Sequence, residues 1–305
     1  MHIIIPTYNE EKHIKETVES CIRNNLIPLV IDDNSTDDTV TIAIDAGAIV
    51  LIKPQTIPAG KNISIRYGAE QINDEHVIIL DADTIILNAD DITQKLENGA
   101  DLVGGIVTIK EDGRLLAHCE AIEYDMSIKR ARPWLFEHGY LNNVSGAFFG
   151  INRELLLNTE IPEHIMGEDM FLTQIGLKNR WNIELSDSVA ITYAIPNIKA
   201  LLVQRARWTV GWSQVIRATG RYVPLVEMIP VTYRIIATIV GIATLNMVTG
   251  GFWISTLIVL GAYFGYEYYR NGNIKDAISM MVYRQLNFIA AIVAPIIGRK
   301  WVIKR

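Results

Sequence analysis

Between Arg234 and Glu267 the chain runs through residues 235 to 266 without one charged side chain. A continuous helix of that length would reach about 48 Å at 1.5 Å per residue, well past the roughly 30 Å hydrocarbon layer of a bilayer. Gly250-Gly251 divides the run, which predicts one span near 229–249 and a second near 252–268. Tyr266, Tyr268 and Tyr269 close the second span at the depth where aromatic rings gather, and Arg270 stands just beyond. Arg217 and Arg221 before the pair, with Arg270 and Lys275 after it, put both ends on the positive, cytoplasmic side. A third apolar stretch, 277–298, is interrupted by Arg284, Gln285 and Asn287 and followed by Arg299, Lys300, Lys304 and Arg305. A crossing there would leave those four charges outside, so a re-entrant or interfacial helix is expected rather than a third span. A helical hairpin buried in a soluble protein is the alternative for the whole region.

The rest of the chain is a different material. Residues 1–224 hold 31 Asp and Glu against 20 Lys and Arg, while 225–305 hold 3 against 8, within an overall net charge of -6. An acidic first part argues against a nucleic-acid partner, whose phosphates need a basic face. Small anionic ligands stay open there provided a cation accompanies them. Cys21 and Cys119 are far apart and form no C-x-x-C pair, so neither a disulfide framework nor a zinc site is indicated and a reducing compartment fits. The opening Met1-His2-Ile3-Ile4-Ile5-Pro6 is too short and lacks the basic start of a secretory signal, so a cytoplasmic catalytic part on a multi-pass cell-membrane protein is expected.

Within the acidic part, apolar runs at 3–5, 29–31, 49–52 and 77–80 alternate with helix-spaced segments at 10–24, 36–46 and 62–72. That β-α-β rhythm predicts an α/β domain with a parallel sheet, extending to about residue 195. Ligands of such sheets bind beyond the carboxyl ends of the strands, where Asp32, Asp33, Asp81 and Asp83 fall. From 196 to 224, Leu201, Leu202, Ala206, Val210 and Val215 interleave with Arg205, Arg207 and Arg217, the composition of an amphipathic helix in the membrane surface; a domain-packing helix is the other reading.

Three short patterns bear on chemistry. Asp81-Ala82-Asp83 after an apolar strand offers two hard oxygen ligands for Mg²⁺ or Mn²⁺, which keep positions open for substrate phosphates. The same triplet also suits a turn at a strand end. Gly167-Glu168-Asp169 opens a helix, where acids complement the helix dipole whatever else they do. Gln204-Arg205-Ala206-Arg207-Trp208 supplies guanidiniums for phosphate and an indole for a sugar face, or a basic stripe for lipid headgroups.

Taken in order, these patterns resemble a family of enzymes. Ile5-Pro6-Thr7-Tyr8-Asn9-Glu10, Val30-Ile31-Asp32-Asp33-Asn34-Ser35-Thr36-Asp37-Asp38-Thr39, Gly60-Lys61, Asp81-Ala82-Asp83, Ser145-Gly146, Gly167-Glu168-Asp169 and Gln204-x-x-Arg207-Trp208 are similar to the motifs of family 2 glycosyltransferases of the GT-A fold, in its membrane-embedded branch. The resemblance runs from Ile3 to Trp208. It implies a GT-A (Rossmann-like) catalytic domain, 1–195, followed by the interfacial helix, 196–224, and a small α-helical transmembrane domain, 225–305. It further implies that Thr7, Glu10 and Asp33, with Pro6 and Asp32 beside them, hold the nucleotide of a nucleotide sugar. Asp83 would ligate Mg²⁺ or Mn²⁺ with Asp81, which also positions the sugar diphosphate, and Ala82, Lys61, Ser145, Gly146 and Glu168 would line the substrate site. Asp169 is then the general base of an inverting transfer, and Gln204, Arg207 and Trp208 close over diphosphate and acceptor. After Gly60-Lys61 the family usually has Asn where this chain has Arg66, a residue expected to reach a phosphate.

A hydrated polymer crossing a bilayer needs a channel walled by several helices, because it cannot contact lipid. Two or three helices do not enclose one. The expected acceptor is therefore a lipid or lipid-linked glycan, with GDP-mannose favoured as donor over a UDP-sugar. A processive polysaccharide synthase built as a homo-oligomer is the main alternative; a nucleotidyltransferase and an inactive carbohydrate-binding membrane protein are the others.

Overall fold

Along the first strand, β1 (His2–Thr7), side chains alternate between two apolar layers: Ile3 and Ile5 pack into one buried cluster and Ile4 into another. Such two-sided burial belongs to a central strand of a sheet covered on both faces. The computed structural model, which describes residues 1–221 and 252–297, places β1 between two parallel neighbours, β2 (Ile27–Asp32) and β4 (His76–Leu80), with β3 (Ile49–Ile52) beyond β2. Helix α1 (Ile14–Arg23) lays Ile14, Val18 and Cys21 on one face. After α2 (Thr39–Asp45), helix α3 (Lys61–Glu70) covers the other face with Ile65 and Ala69.

The four strands read from the sequence are parallel, and beyond them the sheet is mixed. Asp81-Ala82-Asp83 is a turn, closed by the Thr84 N–H donating to Asp81 O at 3.1 Å, that throws the chain into β5 (Thr84–Asn88). Helix α4 (Asp90–Glu97), β6 (Leu102–Lys110), helix α5 (Leu115–Tyr124), a π-helical segment (Asp125–Ala131) and α6 (Arg132–Glu137) follow. Then come β7 (Phe148–Asn152), α7 (Arg153–Asn158), α8 (Glu168–Asn179) and β8 (Ile183–Tyr193). The eight strands form one mixed sheet in the order β3-β2-β1-β4-β7-β6-β8-β5, in which β7 runs antiparallel to β4 and β6, and β5 antiparallel to β8. The strand order reverses at β1 and β4, the kind of crevice where ligands of open sheets sit. Ser145-Gly146 lies in the loop leading into β7.

Helix α9 (Ile198–Thr219) starts where the Asn197 side chain accepts from Ala200 N at 3.0 Å. It packs against α8 and a later helix, Ile274–Ile297, instead of exposing all its arginines, and Arg205 is buried. Two more helices are described, α10 (Phe252–Asn271) and α11 (Ile274–Ile297). Of the 277–298 stretch, residues to Ile297 form one unbroken helix, whose Met280 and Tyr283 pack with Cys119, Ile195 and Leu201. Among the described residues no helix is long and apolar enough to cross a membrane. The first expected span, 229–249, lies outside the described residues.

Candidate active site

The loops at the carboxyl ends of β1, β2 and β4 open onto one cavity of about 2480 Å³. At one wall, the Asp33 N–H donates to Thr7 O at 2.8 Å, which ties the end of β2 to the end of β1. Fully buried Lys53 places Nζ 2.6 Å from Asp33 Oδ1, and the Gly60 N–H donates to Oδ2 at 2.8 Å. Gly60 reaches that position at φ 142, in the region that disfavours any side chain. Asp33 is thus aimed by two donors. Asp32 is not part of this wall: it is buried, and its Oδ2 accepts from the Ser35 N–H at 2.9 Å to build the turn. Adjacent strand residues point to opposite faces, so only one of the pair can reach the cavity.

Lys61, at the start of α3, bridges two acids, with Nζ 2.6 Å from Asp81 Oδ1 and 2.7 Å from Glu168 Oε1, and it donates to Gly146 O at 3.0 Å. Burial opposes the ammonium, but Asp81 and then Glu168 outweigh it and raise its pKa. Burial also raises the Glu168 carboxyl against the pull of Lys61. Asp83 has no such cation: among the described residues it makes no ion pair, and its carboxylate meets only the hydroxyls of Thr84 and Thr192, each at 3.4 Å. Burial, then the charges of Asp81 and Glu10, push Asp83 up to about 6.

This is the donor set a hard divalent cation fits, two carboxylates at a strand end with excess negative charge. No group of three His, Cys, Asp or Glu that could hold a metal occurs among the described residues. Asp83 and Asp81 are the residues that could hold such an ion, which would leave its other positions open to further oxygens.

Asp169 stands in the first turn of α8 and lines the cavity. Its Oδ2 accepts from Asn143 Nδ2 at 2.7 Å. Across from it Gly146 packs closely: a Cβ there would lie 3.0 Å from Asp169 Cγ, so a larger residue would push the carboxylate by a few tenths of an ångström. Gln204, Arg207 and Trp208 line the same cavity from α9, and Gln204 Oε1 is buried without a hydrogen-bond partner among the described residues.

All the residues singled out from the sequence therefore meet on this cavity except Asp32 and Arg66. Arg66 lies one helical turn from Glu70, with its Nε 3.3 Å from Glu70 Oε1, and faces solvent, so it reaches no phosphate site. Lys53 and Asn143 escaped sequence reading. Lys53 left a trace as a charged residue directly after an apolar run, and Asn143 stood two residues before Ser145-Gly146.

The profile of Glycosyl transferase family 2 matches residues 2–158, just over half the chain. The chain is a family 2 glycosyltransferase. As such it is similar to an uncharacterized glycosyltransferase of Mycobacterium tuberculosis, 34% identical over 106 residues that cover 34% of this chain and 46% of that protein. It is also similar to the poly-β-1,6-N-acetyl-D-glucosamine synthase of Staphylococcus epidermidis, 25% identical over 233 residues, covering 70% of this chain and 54% of that one. The matches thus span about half the length of these curated relatives. Among solved structures, the mannosyltransferase PcManGT of Pyrobaculum calidifontis, in complex with GDP-mannose and Mn²⁺, superposes with a TM-score of 0.63 at 16% identity, covering 95% of this glycosyltransferase and 86% of PcManGT. That likeness carries the fold, a GT-A sheet domain.

A buried acid beside the cavity carries a pH prediction. Glu120 on α5 is 1% exposed and accepts from the Ile195 N–H at 2.8 Å. Burial pushes it from 4.5 up to about 7. The folded state thus holds a proton that the unfolded state releases, so stability is full below the unfolded value and falls as pH rises toward 7. At 1.36 kcal/mol per unit the group removes about 3 kcal/mol between pH 4.5 and pH 7 and stays constant above. Glu120→Gln is expected to abolish that slope, read as the wild-type-minus-variant difference in urea unfolding of the full chain at pH 5 and pH 8. Parallel profiles would refute it.

Proposed function

We propose that this glycosyltransferase moves a sugar from a nucleoside-diphosphate sugar, in the presence of Mg²⁺ or Mn²⁺, to a lipid or lipid-linked glycan held in the membrane, with inversion at the anomeric carbon. The observation that carries the reading is the meeting of Asp83 and Asp81, Asp169, and Gln204 with Arg207 and Trp208 on one cavity.

Each residue then has a task. Thr7, Glu10 and Asp33 receive the nucleotide at the β1–β2 wall. Asp83, with Asp81, holds the divalent cation, which when bound neutralises the diphosphate and eases its departure. Lys61 holds Asp81 and Glu168 in register, so that the acids face the cavity as a fixed array. Asp169, oriented by Asn143, accepts the proton of the acceptor hydroxyl as its oxygen attacks. Arg207 and Trp208 close the far side, the guanidinium on phosphate oxygens and the indole on a sugar face.

The charge-free run 235–266 between basic flanks supports a multi-pass anchor in the cell membrane with the catalytic part at the cytoplasmic face. The similarity to a polysaccharide synthase over 233 residues favours, as a second reading, an oligomeric enzyme that extends a chain. One experiment separates the two. Membranes holding the protein receive radiolabelled GDP-mannose and a panel of UDP-sugars, with and without EDTA, and are extracted into organic solvent. Chelator-sensitive label in the lipid phase is the expected result; label in long water-soluble polymer would replace the lipid acceptor by the second reading.

A further inference from the structure

Away from the acids named above, a second part of the cavity wall carries several arginines. There, Nη2 of Arg270 on α10 and Nη2 of Arg284 on α11 each lie 3.7 Å from the same atom, Sδ of Met126. All three residues line the cavity. A thioether is a weak acceptor, while a guanidinium paired with an oxyanion gains a charge-assisted, two-pronged bond. Two guanidiniums aimed at one methionine sulfur therefore surround the place an anion would take. Met126 lies in the π-helical segment, a kind of distortion frequent at functional sites, and its unbranched side chain swings aside at little cost.

Neighbouring groups support the same conclusion. Arg205 is 95% buried, as its 5% exposure shows, and its Nη1 finds no hydrogen-bond partner among the described residues, although Nε meets Asn287 Oδ1 at 3.3 Å and Nη2 meets Tyr283 Oη at 2.6 Å and Glu123. Arg284 Nη1 stands 3.2 Å from Glu267 Oε1. Glu123 and Glu267 thus sit among Arg205, Arg270 and Arg284, while Glu111, Asp125, Asp276 and Arg130 border Arg270 and Met126 on the other side. Tyr266 donates no charge: its ring and hydroxyl flank Arg270, with Arg270 Nη1 3.0 Å from Tyr266 Oη.

We propose that Arg270 and Arg284 form an anion subsite that takes the phosphate of the acceptor lipid, with Met126 moving out as it enters. This rests on the reading of a membrane-held acceptor. The exposed tyrosines Tyr266, Tyr268 and Tyr269 next to Arg270 place its guanidinium at headgroup depth, which favours a lipid phosphate over a free one. The paired guanidiniums then give an anionic acceptor a local place to dock, away from the carboxylates of Asp81 and Asp83.

The test is equilibrium binding to the full detergent-solubilised chain in EDTA with no donor present, using decyl phosphate, decanol and inorganic phosphate as probes. Decyl phosphate is expected to bind at least tenfold more tightly than decanol, and Arg270→Gln to weaken it at least tenfold while GDP and UDP binding in Mn²⁺ stays within twofold. Arg270 is the residue to change, because replacing Arg284 would strip the fully buried Glu267 of its cation. Met126→Glu, which tethers a carboxylate at the proposed position, serves as the second variant and is expected to block decyl phosphate as well. Equal binding of decyl phosphate and decanol, or undiminished decyl phosphate binding in either variant, overturns the subsite. Inorganic phosphate binding as tightly as decyl phosphate overturns the lipid source. Failure of sugar transfer to lipid in the membrane assay, with decyl phosphate binding intact, strikes the acceptor reading and leaves the subsite standing.

Discussion

Asp169→Asn is expected to lower the turnover of sugar transfer by about a thousandfold, the middle of the range for losing a general base, with donor affinity within twofold of wild type. The substitution is nearly isosteric, and the amide still fits beside Gly146, where a Cβ would already press on Asp169 Cγ at 3.0 Å. What disappears is the proton acceptor. Asn143 Nδ2, which donates to Asp169 Oδ2 at 2.7 Å, fixes one oxygen and leaves the other to face the acceptor hydroxyl. The measurement is single-turnover transfer at saturating donor alongside equilibrium nucleotide binding. Turnover within tenfold of wild type would move the base elsewhere. A parallel loss of nucleotide binding would mean the variant disturbs the wall instead of the chemistry.

The strand ends were legible in the sequence because buried strands leave continuous apolar runs and the acids after them interrupt those runs sharply. Ile3 to Ile5 and Val77 to Leu80 could be read in this way, and so could Asp33, Asp81 and Asp83. Direction was not legible. Nothing in the residues of β5 or β7 distinguishes a strand that returns antiparallel from one that follows a crossover, since both are short and apolar and the choice depends on distant pairing partners such as β8 and β4. Asp32 and Asp33 were equally opaque, because two adjacent acids differ only in which face of the strand each occupies. Arg205 and Arg207 show the same limit on a helix. The sequence presented both as a basic stripe, yet Glu123, Tyr283 and Asn287, far away in the chain, converge on Arg205 and bury it. Arg66 was misplaced for the converse reason: a partner one turn away on its own helix, Glu70, keeps it at the surface.

Asp83→Asn is expected to remove the dependence of transfer on Mn²⁺ together with nearly all of the activity, by a factor of roughly a thousand or more if electrostatic stabilisation of the leaving diphosphate is lost. The structure separates the two acids of the triplet. Asp81 is neutralised by Lys61 at 2.6 Å, whereas Asp83 meets only two hydroxyls and is pushed up to about 6 by burial and by Asp81 and Glu10. A carboxylate under that strain is the one whose charge a divalent cation compensates, so its loss should be felt in metal binding more than in folding. Replacing it by an amide relieves the repulsion, and the variant should unfold at the same urea concentration as wild type or a higher one. Three readings of the purified full chain therefore move in set directions: Mn²⁺ titration of nucleotide binding flattens, transfer falls to the level seen with EDTA, and stability does not drop. Asp81→Asn should differ, because it leaves Lys61 with Glu168 alone and disturbs the array that both acids share. If Asp83→Asn kept its response to Mn²⁺ while Asp81→Asn lost it, the cation would belong to Asp81, and Lys61 would have to give way each time it bound.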